Sequence, residues 1–187
     1  MIPLAPMAIS RVCVFLGSAM GSDPAFAAAA EELGRAIGGK GWTLVYGGAS
    51  VGLMGVLADA TLAAGGKVHG VIPADMLERE LAHQGLSRLD IVGTMAQRKE
   101  LMFAGSDAFV ALPGGFGTLD ELFEALTLSL LGHHQRPCLL VDLGGYYRHL
   151  IAFADGAVAA GLIKPAHRAL LEVVDDPTAA VALLANR

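Results

Sequence analysis

The chain contains one stretch from which the rest of the fold can be read outward, Pro113-Gly114-Gly115-Phe116-Gly117-Thr118-Leu119-Asp120-Glu121. An apolar run at 108–112 leads into it, and a run rich in Ala and Leu at 122–131 leads out. This pattern predicts a buried strand, a glycine turn and the start of a helix. Glycines let the backbone approach a ligand closely, and a helix N-terminus offers unpaired N–H groups to an anion. With Glu121 one turn inside the helix, the stretch predicts a phosphate cradle beside a fixed carboxylate.

The same stretch also has a purely structural interpretation as a helix cap. Thr118 and Glu121 are spaced as in a capping box, with Thr118 as the N-cap residue and Glu121 at the third helical position. Spacing alone favours neither capping nor ligand chemistry. Two nucleotide motifs are excluded, because Asp120 stands where a dinucleotide fingerprint has its third glycine, and because no Gly-Lys-Ser/Thr follows the turn.

Strands and helices alternate along the rest of the chain. This alternation predicts a parallel sheet with right-handed crossovers, and hence an α/β, Rossmann-like, doubly wound fold with helices on both faces. We expect a single nucleotide-binding domain over residues 1–187. Apolar runs predict strands at 12–16, 42–46, 67–72, 89–92, 108–112, 137–142 and 172–174. Helical patterns lie at 24–38, 53–64, 74–83 and 96–104, after the glycine stretch, and at 147–160, 165–171 and 177–184.

Glycine turns follow the first, second and fifth predicted strands. They are Gly17-Ser18, Gly47-Gly48 and Gly114-Gly115. The carboxyl ends of parallel strands meet at one edge of the sheet, where ligands bind at the switch in strand order. We therefore expect the three turns to line one cleft.

Composition narrows the class of protein. Hydrophobic residues make up 54% of the 187 and charged residues 17%, which is typical of a globular chain. The net charge is −5 and the basic residues are scattered, so a nucleic-acid polymer is not an expected partner. No apolar run is long enough to cross a membrane. We expect a soluble, cytoplasmic protein that does not bind membranes.

The cysteines and histidines predict no metal centre. Cys13 and Cys138 lie in apolar strand-like runs, which favours small buried core residues in a reducing compartment. The histidines form no pair at helical i, i+4 spacing, so neither a metal nor another cofactor is expected.

Two consecutive cations, Arg98 and Lys99, open the helix before the glycine stretch. A charge pair of this kind commonly forms a solvated helix face. Its position in the chain favours a second interpretation, because this helix can overhang the same sheet edge. Two cations there could hold a phosphate and orient Glu121.

The helix after the glycine stretch is apolar on almost every side. Its apolar residues are Leu119, Leu122, Phe123, Ala125, Leu126, Leu128, Leu130 and Leu131. A helix of this composition must be covered on both sides, by the sheet and by a second subunit. The pattern predicts a homodimer.

Taken together, Met95-x-x-Arg98-Lys99 and Pro113-Gly114-Gly115-x-Gly117-Thr118-x-x-Glu121 resemble the Lonely Guy family of cytokinin riboside 5'-monophosphate phosphoribohydrolases. The resemblance extends over about residues 11–175 and includes Gly17-Ser18 and Val45-Tyr46-Gly47-Gly48. It implies a Rossmann-type dimer that cleaves the N-glycosidic bond of a nucleoside monophosphate. The products would be adenine, or an N6-prenylated adenine, and ribose 5-phosphate.

The resemblance also implies a role for each matched residue. Glu121 would stabilise an oxocarbenium-like sugar and activate or position water, and Arg98 would orient Glu121 and offset its charge. Gly115, Gly117 and Thr118 would hold the 5'-phosphate. Arg98 and Glu121 are thus the implied catalytic residues. The implied substrate-binding residues are Ser18, Gly48, Glu80, Met95, Arg98, Lys99, Gly114, Gly115, Phe116, Gly117, Thr118, Leu119, Asp120, Glu121 and Thr127.

The sequence departs from the family pattern at a few positions. Ala96 stands where a histidine is common, Ala49 where a third glycine is common, and Leu128 and Leu130 where the family often has Trp and Gln. The last two positions are implied to flank the base pocket, so they bear on which purine is preferred.

Two alternatives to a glycosidase stay open at the level of sequence. One is a non-catalytic nucleotide-binding module, for which the glycine turns suffice and Glu121 only caps its helix. The other is lysine decarboxylase, a label often given to such proteins. Pyridoxal-phosphate catalysis needs a Schiff-base lysine, and none of Lys40, Lys67, Lys99 and Lys164 lies in a recognisable cofactor motif.

Overall fold

The computed structural model describes residues 8–77 and 82–187. In this part of the chain the strands are β1 (Arg11–Phe15), β2 (Thr43–Tyr46), β3 (Lys67–Pro73), β4 (Arg88–Val92), β5 (Ala108–Ala111), β6 (Cys138–Val141) and β7 (Leu171–Val174). The helices are α1 (Pro24–Gly39), α2 (Gly52–Ala63), α3 (Met95–Ala104), α4 (Phe116–Leu130), α5 (Arg148–Ala159), α6 (Pro165–Arg168) and α7 (Pro177–Ala185).

The strands form one parallel sheet with the order β4-β3-β2-β1-β5-β6-β7. The order reverses between β1 and β5, where Val12 pairs with Ala108 and Phe15 with Ala111. This is the switch point of a doubly wound sheet, whose carboxyl edge forms a ligand crevice. The predicted fold class is confirmed.

Apolar cores cover both faces of the sheet. Side chains along β1 alternate between them, with Val12 and Val14 in one core and Cys13 and Phe15 in the other. The first core is completed by α1, α2 and α7, and the second by α3 and α4. Because the central strands are buried on both faces, they appear in the sequence as continuous apolar runs.

The helices begin in two different ways. Side chains cap α1, α3 and α7: Asp23, Thr94 and Asp176 accept hydrogen bonds from backbone N–H groups in the first turns, at 2.7–3.2 Å. No side chain caps α4, which begins directly after Gly115. Helices α2, α5 and α6 likewise begin without a side-chain cap. The N-terminus of α4 therefore keeps donors of the kind that α1, α3 and α7 use on their own caps.

The sequence predicts a helix at 74–83. This prediction is wrong for both parts of the segment that the structure describes, 74–77 and 82–83. Ala74–Met76 forms a single turn of 3-10 helix. Ala82 instead pairs with Ala49 as an isolated antiparallel bridge, and the His83 N–H donates to the Gly48 carbonyl at 3.0 Å. Pairing with the backbone after β2 replaces helical hydrogen bonds at this end of the segment.

Close packing of α1 on α2 depends on two glycines. A Cβ on Gly34 would lie 2.6 Å from the Leu57 carbonyl oxygen and 2.8 Å from the Ala60 Cβ. A Cβ on Gly38 would lie 2.6 Å from the Thr61 carbonyl oxygen. The two helix backbones can approach this closely only without side chains at these positions.

We predict that Gly34→Ala destabilises the protein, because the added methyl group must push α2 away from α1. The expected loss in the free energy of unfolding is about 1–3 kcal/mol, measured by urea denaturation. Gly39→Ala is the matched control in the same helix, since a Cβ there has no neighbour within 4 Å. Equal stability of the two variants would contradict the packing argument.

Candidate active site

The loops after β1 and β5 meet at the carboxyl edge of the sheet. The Gly17 N–H donates to the Pro113 carbonyl at 3.2 Å. A Cβ on Gly114 would lie 2.0 Å from the Thr118 Oγ1 atom and 2.9 Å from the Gly17 nitrogen, so only glycine fits there. The structure thus brings together two of the three glycine turns expected to line one cleft.

The loop after β2 reaches the same edge through Gly47 and Gly52. The Gly47 carbonyl accepts a hydrogen bond from Arg98, and a Cβ on Gly52 would lie 2.0 Å from the Ser18 carbonyl oxygen. Gly48 itself packs against Ile72 and Leu89 and does not contact the cleft. Its predicted role in substrate binding therefore has no geometric support.

The start of α4 rules out the capping box. Gly115 is the N-cap residue, which makes Thr118 the third helical residue and places Glu121 in the second turn. The first hydrogen bond of the helix runs from the Leu119 N–H to the Gly115 carbonyl at 3.1 Å. The N–H groups at 116–118 precede it and have no acceptor within the helix. The backbone of Gly115 is extended, with φ −100° and ψ −150°, as is usual for an N-cap residue.

A cavity of about 270 Å³ opens beside this N-terminus. It brings together nine of the predicted site residues: Ser18, Met95, Arg98, Gly115, Phe116, Gly117, Thr118, Asp120 and Glu121. Leu16, Gly17, Met54 and Met76 complete the lining. Of these, Met76 carries no signal in the sequence, since it lies in a segment without a clear periodic pattern.

Two charged side chains of the cavity are buried. Glu121 is 7% exposed and Arg98 is 3% exposed. Both also act on the thiol of Cys13: burial and the charge of Glu121 raise its pKa, whereas a hydrogen bond from Ser106 and the charge of Arg98 lower it. The negative carboxylate of Glu121 and the positive guanidinium of Arg98 thus lie in the same buried part of the protein. Charges interact strongly there because the dielectric constant is low.

Both cysteines are buried core residues, as predicted. Burial raises the pKa of Cys13 well above its ordinary value and raises that of Cys138 to about 12. Since the thiolate is the reactive form, both residues are inert packing groups.

The guanidinium of Arg98 is held from two sides. Its Nη2 atom donates to the Gly47 carbonyl at 3.1 Å, and its Nη1 atom lies 3.7 Å from the Met95 sulfur and 3.9 Å from the Met76 sulfur. A Cβ on Gly47 would lie 1.9 Å from Nη2. Glycine at this position is therefore what lets Arg98 reach the carboxyl edge.

Lys99 does not line the cavity that Arg98 lines, although its partner Asp120 does. Its ammonium forms ion pairs with Asp120, at 2.8 Å, and with Glu124 on α4. Burial by itself lowers the pKa of Lys99, but the hydrogen bonds and charges of Asp120 and Glu124 outweigh it, so the pKa is raised overall. In the structure Lys99 joins α3 to α4, and the hypothesis that it supplies a phosphate-binding cation has no geometric support.

The other predicted substrate contacts lie outside the cavity lining. Gly114 supports the turn, Leu119 packs against the core that contains Phe15, and the Thr127 hydroxyl donates to the Phe123 carbonyl at 2.7 Å. Glu80 lies outside the described residues. Leu128 and Leu130, expected to flank the base pocket, lie towards the other end of α4 and do not line this cavity.

Two tyrosines hold the backbone that leads into α4. The Tyr147 hydroxyl donates to the Leu112 carbonyl at 2.8 Å, and the Tyr146 hydroxyl donates to the Gly114 carbonyl at 2.7 Å. Burial raises the pKa of Tyr147, which keeps its hydroxyl protonated and able to donate. Tyr146 also packs edge-on against Phe26 of α1, with ring centroids 5.3 Å apart.

The lining residues do not suit pyridoxal phosphate. That cofactor needs a lysine in the site, and none of the four lysines lines the cavity described above. Over residues 8–77 and 82–187, no three His, Cys, Asp or Glu side chains are grouped as metal ligands. In the same ranges, no helix is both long and apolar enough to cross a membrane.

Sequence comparisons return one family under two descriptions. Residues 54–184 match the family model described as "Possible lysine decarboxylase". The chain is 47% identical over 169 residues to the rice (Oryza sativa subsp. japonica) relative named "Probable cytokinin riboside 5'-monophosphate phosphoribohydrolase LOGL5". The match covers 90% of this chain and 68% of the relative. The chain is also 47% identical over 174 residues to the cytokinin riboside 5'-monophosphate phosphoribohydrolase of Rhodococcoides fascians, covering 92% and 88%. The chain belongs to this phosphoribohydrolase family, Lonely Guy. It is accordingly an enzyme of the phosphoribohydrolase class.

Solved structures with the same fold include proteins that are described by a different function. A molybdenum cofactor binding protein from Rippkaea orientalis superimposes with a TM-score of 0.72 at 22% identity, over 96% of this chain and 98% of that one. The molybdenum cofactor carrier protein from Chlamydomonas reinhardtii gives 0.71 at 23% identity, over 95% and 97%. At this level of identity the likeness shows the fold alone, and function must be argued from the site.

We predict that Lys99 stabilises this member of the phosphoribohydrolase family without binding its ligand. Lys99→Met should lower the free energy of unfolding by about 1 kcal/mol, while the Kd for AMP changes less than about threefold (~0.6 kcal/mol). Because the folded-state pKa is raised, the stabilisation is complete below the ordinary lysine pKa of 10.5 and is lost as pH rises through the folded-state value. Thermal unfolding at pH 8 and titration calorimetry measure the two effects.

Lys164→Met is the control for that experiment, since Lys164 precedes the short helix α6 and no ion pair involves it in the described part of the chain. A large loss of AMP affinity in Lys99→Met, with stability unchanged, would contradict the prediction and show that Lys99 binds the ligand.

Proposed function

We propose that the protein hydrolyses the N-glycosidic bond of purine riboside 5'-monophosphates, of the cytokinin type or with adenine as the base. The products are the free base and ribose 5-phosphate. The observation that carries the proposal is the cavity in which the buried side chains of Arg98 and Glu121 adjoin the uncapped N-terminus of α4. The names of the relatives support a cytokinin riboside monophosphate as substrate.

The N-terminus of α4 is suited to the 5'-phosphate. The N–H groups at 116–118 have no acceptor within the helix, and the helix dipole favours an anion at this end. A Cβ on Gly115 or Gly117 would meet no atom within 4 Å, so both positions leave open space beside the backbone donors. We assign phosphate binding to Gly115, Gly117 and Thr118.

Glu121 and Arg98 then supply the chemistry at the sugar. As the bond from C1′ to the base nitrogen breaks, positive charge develops on the ribose, and the Glu121 carboxylate stabilises it. Water adds its hydroxyl to C1′, and its proton replaces the ribosyl group on the base. Glu121 is placed to position or activate that water, and Arg98 to orient Glu121 and offset its charge. Burial makes these charges more effective than they would be in water.

Apolar side chains offer a surface for the purine. Met54, Met76 and Met95 line the cavity, and Phe116 is 95% exposed at its rim. Thioether and aromatic groups pack well against flat rings, and the unbranched methionine side chain adapts to bases of different size. This composition supports a purine, whether or not it carries an N6-prenyl group.

The non-catalytic alternative assigned Glu121 to the cap of its own helix. The N-cap residue is instead Gly115 and Glu121 lies in the second turn, which supports a different role for this side chain. A buried glutamate beside a phosphate-binding turn is costly to maintain without a task for its charge. We therefore favour hydrolysis over nucleotide binding alone.

A homodimer and a cytoplasmic location complete the proposal. Phe123, Leu130 and Leu131 leave an exposed apolar surface on and just after α4. A second copy of the chain packed there would remove that surface from water. We propose that α4 lies at the interface of a homodimer in the cytoplasm.

We predict that Glu121→Gln strongly slows base release while the nucleotide still binds. Glutamine keeps the shape of the side chain but lacks the charge, so kcat should fall about 10³-fold, with little change in AMP affinity. The assay follows free base and ribose 5-phosphate from AMP and from isopentenyladenosine monophosphate. Kinetics on the two substrates, measured side by side, also determine which purine is preferred.

Glu124→Gln is the matched control for Glu121→Gln. It removes the same charge from the same helix, where Glu124 pairs with Lys99 and does not line the cavity. Its kcat should stay within about threefold of the wild-type value (~0.6 kcal/mol). If the wild-type protein binds AMP but releases no base from either substrate, the hydrolase proposal is wrong.

We predict a dimer in sedimentation at micromolar concentration, and monomers for Leu131→Asp. A charge at the centre of an apolar interface must be buried without a partner, which opposes association. Leu183→Asp on α7 is the control, because α7 packs on the other face of the sheet. Wild-type protein that sediments only as monomer would remove the dimer from the proposal.

A further inference from the structure

A second cavity lies at the amino edge of the sheet, opposite the candidate active site. We call it the arginine cavity: it is lined by Arg11, Arg88, Arg136, His69 and the turn at 104–107. Its volume is about 480 Å³, larger than the cavity at the carboxyl edge and within the range of small-molecule pockets, roughly 300–1,000 Å³.

The arginine cavity has an excess of positive charge. Three guanidinium groups line it. Asp107 is the carboxylate among its described lining residues, and Asp90 beside the cavity pairs with Arg88, so three cations face two carboxylates. Asp107 Oδ2 already accepts the backbone N–H groups of Ser10 and Arg11, both at 2.9 Å.

Two of the arginines are held in place by the end of α3. The Arg11 Nε donates to the Gly105 carbonyl, and the Arg136 Nη1 donates to the Phe103 carbonyl at 2.6 Å. These bonds stabilise the C-terminus of α3. Each of them uses only one nitrogen of the guanidinium group. Among the described residues, no hydrogen bond uses Arg11 Nη1 or the Nε and Nη2 atoms of Arg136. Fixed guanidinium groups with unused N–H donors are suited to bind oxyanions.

His69 adds to the rigidity of the arginine cavity. Arginine can only donate, so the contact of Arg11 Nη2 with His69 Nδ1 at 3.2 Å makes Nδ1 the acceptor. The proton is then on Nε2, which donates to Asp90 at 2.8 Å. Burial lowers the pKa of His69, which is consistent with this neutral form. Asp90 also pairs with Arg88 at 2.7 Å, which fixes the third arginine.

We propose that the arginine cavity is a second ligand site that binds a diphosphate group, either as free pyrophosphate or as part of a nucleoside diphosphate. The N–H donors that Arg11 and Arg136 leave unused suit the several oxygens of a diphosphate better than the two oxygens of a single carboxylate. The volume leaves room for a nucleoside beside the phosphates. The site is distinct from the phosphate cradle of α4, because the two cavities share no lining residue.

The test is a titration of the full chain with pyrophosphate and, separately, with ADP in 150 mM KCl, followed by backbone amide NMR. The amides of Gly105 and Ser106 report on the arginine cavity, and those of Gly115 and Gly117 report on the α4 cradle. We expect saturable shifts at Gly105 and Ser106. The Arg88→Gln/Arg136→Gln variant should bind at least tenfold more weakly at these amides, with the response at Gly115 and Gly117 unchanged.

Arg35→Gln/Arg148→Gln is the matched control, since it removes the same charge from exposed positions on α1 and α5. It should bind within about twofold of the wild-type protein (~0.4 kcal/mol). Arg88→Gln alone, which leaves the end of α3 intact, serves if the double variant does not fold. The proposal is wrong if Gly105 and Ser106 do not respond, if their shifts do not saturate, or if the control loses as much affinity as the cavity variant. Tighter binding of ADP than of pyrophosphate identifies the ligand as a nucleotide.

Discussion

The architecture of the candidate site depends on the contact between Gly114 and the loop after β1. With no side chain at Gly114, Thr118 and the Gly17 nitrogen can both lie against it, so the first turn of α4 packs on the loop after β1 with only four residues between β5 and α4. An early start turns the N–H groups at 116–118 towards the cavity and places Glu121 inside the protein. Any larger residue at this position would have to separate β1 from α4, and the phosphate-binding turn would be lost with them.

Neighbouring residues of α3, the helix before the glycine stretch, have two different roles. Arg98 points inward to the Gly47 carbonyl, whereas Lys99 points to the carboxylates of Asp120 and Glu124. Consecutive residues of an α-helix are about 100° apart around its axis, so two neighbouring cations seldom reach one small site. One residue supplies the cavity with charge, and its neighbour holds α3 against α4.

The same helix spans the two cavities of the protein. Arg98 lies in the first half of α3 and lines the cavity at the carboxyl edge, while the carbonyls at the end of α3 bind Arg11 and Arg136 in the arginine cavity. In a parallel sheet all strands point the same way, so the two edges carry different loops and can hold different chemistry. Ten residues of helix, about 15 Å, connect them.

The sequence by itself determined the fold class, the order of the elements and the glycine turns at the carboxyl edge. Apolar periodicity and glycine breaks are local signals, and the central strands are buried on both faces, so they appear as unbroken apolar runs. The paired motifs around Arg98 and Glu121 also pointed to the family. Tertiary structure alone decided where α4 begins, which of Arg98 and Lys99 enters the cavity, and that Met76 lines it. Each of these depends on contacts between residues far apart in the chain, such as Gly114 with Gly17 and Arg98 with Gly47. A local sequence pattern cannot predict such contacts.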